Sequence, residues 1–175
     1  MISSKLKKLL EEISIKAIEL GEIEFTPEEK ETKWLGNSPV SETEIKITEE
    51  RLGLKFPVDF KCFLKISNGF SAPNDVEPTF EDISKIDFLK NVDKFIIEAY
   101  NIEETKYLSK ELEKSILIGG INEEQYFLLI PPNLIQENWK YWKFANWYPG
   151  EEEFNNLESY LQEVLDSLGN SLNLI

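Results

Sequence analysis

The chain contains no histidine and a single cysteine, Cys62. Its one arginine is Arg51, and basic residues number 19 in all against 33 acids. Each shortage excludes some chemistry. Without imidazole there is no Ser-His-Asp triad, no Cys-His pair and no His-ligated metal. One thiol closes no internal disulfide and builds no cysteine-rich zinc or iron–sulfur site. A net charge of −14 repels a phosphate backbone, so no nucleic-acid partner is expected. Long apolar runs are also missing. The longest uncharged stretch, residues 125–136, is too short to span a bilayer, and Pro131 and Pro132 interrupt it. Glutamates follow the first leucines too closely for a signal-peptide core to form. A cytoplasmic location with no membrane partner is therefore expected.

What is present describes a folded protein. With 175 residues, 41% of them hydrophobic and 12% aromatic, the chain can bury its own core as one globular domain. Leu6, Leu9, Leu10, Ile13, Ala17 and Leu20 recur at helical spacing and predict a first helix ending near Gly21. The Glu/Lys-rich stretch after it reads as a solvated linker. Residues 1–33 are thus read as an N-terminal amphipathic helix with an acidic linker, a candidate appendage to a main domain over 34–175.

Ser41 and Glu44 form a capping box, with Val40 and Ile45 at the positions of a hydrophobic staple. The helix they open should stop at Gly53, which suits a left-handed C-cap. Pro57 is placed to begin the next helix, which buries Phe60, Phe63 and Leu64 and ends at Asn68-Gly69. Residues 70–82 read as a loop. Phe88 to Ala99 keep helical spacing behind a candidate N-cap at Asp87, and a short helix is expected near Thr105–Leu112. Ser115–Ile118, Tyr126–Ile130 and Trp139–Phe144 read as strands. A last helix starts near Asn156 and should close at Gly169. Helices early, strands late and a terminal helix predict an α+β fold, a largely antiparallel sheet packed by helices.

Candidate catalytic features are weak. Gly119-Gly120 follows a strand, but acids and a further strand come next, so a hairpin turn is expected rather than a phosphate loop. The acidic clusters read as solvated faces. Residues 74–77 lack the ligand alternation and central glycine of a calcium loop. Cys62 reads as a small apolar core group. No catalytic residue, metal or cofactor is expected. The most distinctive stretch is 139–148, where six of ten residues are aromatic. Its alternate aromatics can fill a core face, or some can anchor a protein partner. Lys140 and Lys143 are too few for a nucleic-acid groove in so acidic a chain.

Several motifs together resemble a known family. Residues 38–45 lead into Glu49-Glu50-Arg51-Leu52-Gly53-Leu54-Lys55-Phe56-Pro57-Val58-Asp59-Phe60, and then Phe63-Leu64-Lys65-Ile66-Ser67-Asn68-Gly69. This looks like the N-terminal signature of the SUKH superfamily, with Phe56 where leucine is usual. Ile118-Gly119 and the block from Trp139 to Gly150 extend the likeness over about 34–168. Gly53, Pro57, Asn68, Gly69 and Gly119 match family positions, and each has a structural reason in its local sequence.

The resemblance implies an α+β fold and a non-enzymatic role. The superfamily groups bacterial immunity proteins, which neutralise polymorphic toxins, with fungal regulators of cell-wall glucan synthesis. The first role implies a cognate, basic toxin domain as partner, for example a nuclease occluded by an acidic surface. The alternative is a regulatory or scaffolding protein of the cell-wall type. Oligomeric state is left open, and a monomer is compatible with the sequence. Trp147, Tyr148, Glu151, Glu152 and Glu153 are the expected partner-binding residues, because they set aromatic anchors beside a run of acids.

Overall fold

The computed structural model describes residues 2–133, 138–145 and 151–174. Helix α1 spans Ile2–Leu20, and its apolar stripe buries Leu6, Leu9, Leu10, Ile13 and Ala17. That stripe lies in the main core and packs on α8 (Leu157–Leu172), with Lys5 Nζ 2.6 Å from Glu158 Oε1 at the solvent edge. The acidic stretch after α1 holds a short helix, α2 (Pro27–Thr32). Thr26 caps it, and Glu29 Oε2 returns to the Thr26 amide at 2.7 Å.

Helix α3 (Glu42–Leu52) carries the expected Ser41/Glu44 capping box and ends at Gly53, which is left-handed at φ 70°. Helix α4 spans Val58–Leu64, with Pro57 as its N-cap, one residue outside the expected start. It ends before Asn68-Gly69.

Among the described residues, five strands form one antiparallel sheet in chain order: β1 (Asp87–Phe88), β2 (Ile116–Gly119), β3 (Gln125–Ile130), β4 (Lys140–Ala145) and β5 (Glu152–Phe154). The order β1-β2-β3-β4-β5 is a meander whose first connection carries helices. These are α5 (Leu89–Val92), α6 (Lys94–Ala99), a 3₁₀ turn at Glu103–Thr105, and α7 (Lys106–Lys114). The fold is α+β.

Both sheet faces are covered, which explains why β2 and β3 are buried along their whole length. Ile116, Ile118, Phe127, Leu129, Tyr141 and Phe154 face the core built with α1, α3, α4 and α8. Leu117, Tyr126, Leu128, Ile130, Trp142 and Phe144 face a second core closed by Leu89, Ile96, Leu108 and Leu112. The alternation places the aromatic block of β4 on both sides: Tyr141 in the first core, Trp142 and Phe144 in the second.

Two helix expectations need correction. The single helix read over 88–99 is broken. Asp87 and Phe88 pair with β2, and Asp93 is extended at φ −142°. Asp93 instead caps α6, accepting from the Ile96 amide at 3.2 Å, while its other oxygen accepts from the Tyr126 hydroxyl at 2.6 Å. Those bonds compete with continuing the helix. Gly169 does not close the last helix. Helix α8 continues to Leu172, because Leu168 still packs in the core and glycine tolerates helical backbone at modest cost. Among the described residues no helix is long and apolar enough to cross a membrane.

Candidate functional site

Trp147 and Tyr148 lie outside the described residues. Glu152 and Glu153 lie on β5, the last strand of the sheet, with Glu151 just before it. Register with β4 sets Glu153 opposite Trp142 and Glu152 opposite Lys143. Glu153 is held on two sides: Lys140 Nζ donates to Oε1 at 2.9 Å and Trp142 Nε1 donates to Oε2 at 3.1 Å. Partial burial pushes the Glu153 carboxyl up, but these bonds and the Lys140 charge outweigh it and leave it below its ordinary value. Glu151 is shifted the other way, by burial and by the Glu153 charge.

Glu152 faces Lys143, whose Nζ is 3.2 Å from Glu152 Oε2 and 3.0 Å from Glu77 Oε1. The Lys143 side chain is only 15% exposed and that of Glu77 9%. Glu77 also accepts from the buried Tyr160 hydroxyl at 2.8 Å. Burial alone would lower the Lys143 pKa, but the charges and hydrogen bonds of Glu77 and Glu152 raise it. Burial, then the Glu77 charge, push Tyr160 well above an ordinary phenol. So this edge is a mixed-charge network: two of its three glutamates are partly neutralised from within. Sequence adjacency showed the acids but not their lysines, which come from the neighbouring strand.

The signature residues converge on helix ends and turns. Glu49 is 5% exposed. It accepts from the Phe56 amide at 2.9 Å and meets Lys55 at 2.9 Å and Lys61 at 3.6 Å. Gly53 donates to the Glu49 and Glu50 carbonyls from a left-handed cap. Pro57 opens α4, and Asp59 two residues later does the most connecting. Asp59 Oδ1 accepts from the Tyr141 hydroxyl at 2.8 Å and the Phe60 amide at 2.9 Å, while Oδ2 accepts from the Leu157 amide at 2.9 Å. One carboxylate therefore ties α4, β4 and the start of α8.

Asn68 accepts from the Ile83 amide at 2.8 Å through Oδ1 and donates to Asp82 through Nδ2. Gly69 is at φ 90°, where a Cβ would lie 2.9 Å from the Phe80 carbonyl oxygen. Gly119 bridges to Phe80, and a Cβ there would lie 2.7 Å from the Thr79 carbonyl oxygen. Each signature position thus has a local mechanical task. Cys62 is half-buried against the first core.

The profile of the SMI1 / KNR4 family (SUKH-1) matches residues 39–167. The chain belongs to the SMI1 / KNR4 family. The match runs from the residue before Val40 to the last turns of α8, so it spans both cores and the whole sheet. Helices α1 and α2 precede it, although α1 shares the core of the family domain. A search of curated proteins finds no match. Among the described residues of this SMI1 / KNR4 domain, no three His, Cys, Asp or Glu side chains are grouped to hold a metal ion.

Glu49 carries a pH prediction for the SMI1 / KNR4 fold. Burial raises its pKa, but the Lys55 bond, the Phe56 amide and the Lys61 charge outweigh that and hold it below its ordinary 4.5. A depressed folded pKa contributes stability that is complete above the unfolded value. That stability is lost as pH falls through the folded value. Glu49→Ala is expected to lose about 2–3 kcal/mol at pH 7, since a buried amide and two lysines lose their partner. The deficit relative to wild type should shrink below about pH 4. Urea unfolding at pH 7 and pH 3 measures both; an equal deficit at the two values refutes the role of the ionised form.

Proposed function

We propose that this protein is a non-enzymatic cytoplasmic immunity protein that binds and occludes a basic cognate toxin domain, for example a nuclease. The observation that carries this reading is a net charge of −14 on a chain most of which is an SMI1 / KNR4 domain. Nuclease sites are basic because they hold phosphate. An acidic protein can cover such a site and reach it fast by electrostatic steering. Occlusion needs no catalytic group, which fits a chain without histidine.

The edge at Glu151–Glu153 remains our proposed part of the contact surface, together with Trp147 and Tyr148. Among the described residues no lysine pairs with Glu151, and Glu163 and Asp166 extend the acidic run along α8. Replacing Glu151, Glu152 and Glu153 together by lysine should slow association with a basic partner about tenfold at low salt. Stopped-flow or surface-binding rates read this, and unchanged rates remove the edge from the interface.

Affinity capture from the native cell tests the function itself. Recovery of a basic toxin domain whose activity falls in the complex supports immunity. Recovery of cell-wall synthesis enzymes instead supports the regulatory alternative and overturns our reading.

A further inference from the structure

The carboxylates at β5 are partly spoken for by Lys140 and Lys143, which raises the question of where acids face open space without an internal cation. A cleft of about 810 Å³ between α2 and the Asn68-Gly69 turn meets that description. Its lining includes Glu28, Glu29 and Asp82, the amides Asn37 and Asn68, and Trp34 as an aromatic wall, with no lysine or arginine. Glu29 and Asp82 have their hydrogen bonds from neutral donors. Ser71 Oγ and Thr26 donate to Glu29, and the Ser84 amide and Asn68 Nδ2 donate to Asp82.

Burial pushes both groups up, but these bonds outweigh it, so both sit below their ordinary values and are charged at neutral pH. Lys85 acts on Asp82 only from a distance, since its own short contact, 3.3 Å, is with Glu81. Glu44 adds a further negative charge near Asp82. Trp34 is half-buried, edge-on to Phe70 at 5.6 Å, and so is held in place as one wall.

Resting on the immunity reading above, we infer that this cleft is a docking slot for an arginine side chain of the basic partner. A guanidinium is planar, stacks on indole, and hydrogen-bonds carboxylates in a fixed fork. Trp34 supplies an aromatic wall, and Glu29 and Asp82 supply charged acceptors fixed by their own donors. Asn37, whose Nδ2 donates to the Asn68 carbonyl at 2.9 Å, sets its side-chain amide at the rim. A lysine ammonium would gain the charge but not the stacking or the fork, so arginine is preferred.

The site is tested without the partner by titrating ¹⁵N-labelled protein with N-acetyl-arginine methylamide at low salt. Shifts should concentrate on the Trp34 indole N–H and the Asn37 and Asn68 side-chain amides, and the lysine analogue should bind more weakly. Glu28→Lys is the chosen variant, because the Glu28 side chain is exposed and, among the described residues, has no hydrogen bond or ion pair. It should weaken arginine binding about fivefold with an unchanged unfolding midpoint. Shifts centred on Glu151–Glu153, or an unaffected Glu28→Lys, overturn the slot. With the captured partner, Glu28→Lys should weaken binding by a similar factor. Unchanged partner affinity removes the slot while leaving immunity intact. A filled slot with no basic partner in the capture leaves the slot standing and removes the immunity reading.

Discussion

Asp59→Ala should destabilise the domain by about 3–5 kcal/mol, the largest single-residue effect expected from a polar side chain here. The loss has three parts. Tyr141, which is 1% exposed, would keep a buried hydroxyl with no acceptor. The Leu157 amide, in the first turn of α8, would lose its capping carboxylate, and the Phe60 amide its neighbour. Bonds to an ionised group are worth about 1.5–3 kcal/mol each, and orphaning a buried donor adds desolvation that nothing offsets. Tyr141→Phe removes only one of these links and should cost about 1–2 kcal/mol. In the double variant the costs should fall short of additive, because both changes delete the same bond. Denaturant unfolding of the four proteins gives the coupling. An Asp59→Ala loss under 1 kcal/mol would mean that Asp59 does not join α4, β4 and α8 as described.

Glu77→Ala should cost about 3 kcal/mol, by breaking a nearly buried pair from one side. Lys143 would keep only the more exposed Glu152, at 3.2 Å, and the buried Tyr160 hydroxyl would lose its acceptor. Two consequences follow that a simple cavity would not produce. The Tyr160 hydroxyl, now held high by burial and the Glu77 charge, should titrate at lower pH in the variant. Glu152 should be drawn more fully onto Lys143, which lowers the free acidity of the β5 edge and with it the on-rate for a basic partner. Spectrophotometric tyrosine titration with urea unfolding reads the first effect and the stability. An unmoved Tyr160 titration would remove Glu77 from its surroundings.

Local signals in the sequence carried the fold where the controlling interactions were local. The Ser41/Glu44 box, the Gly53 stop, and the apolar runs of β2 and β3 depend on neighbours a few residues away. The Thr26/Glu29 box with Pro27 offered the same kind of signal for α2, and the charged composition around it hid it. The break at Asp93 was not legible, because the Leu89-to-Ile96 spacing remains helical and the competing partner, Tyr126, lies on a distant strand. Strand β5 was hidden for a related reason: glutamates disfavour strands, and only pairing with Tyr141–Lys143 makes them one. The stripe of α1 was readable, whereas its docking on α8 at the other end of the chain was not.

The candidate site divides in the same way. The run of acids at 151–153 was visible at once, while the lysines that partly neutralise it are neighbours only across a sheet. Asp59 stood inside the quoted signature, yet its three-way connection depends on Tyr141 and Leu157 from the other half of the chain. The Trp34 cleft joins residues from three separate stretches, 26–38, 68–71 and Asp82, so no short window of sequence contains it.

The central claim, an acidic protein that disarms a basic toxin by covering it, is tested most directly by titrating the captured toxin domain's activity with this protein at low and high salt. Inhibition should be complete at one equivalent at low salt, with an association rate that falls at least tenfold as salt rises past physiological strength. Activity that persists at saturating protein, or inhibition with a rate indifferent to salt, would contradict it.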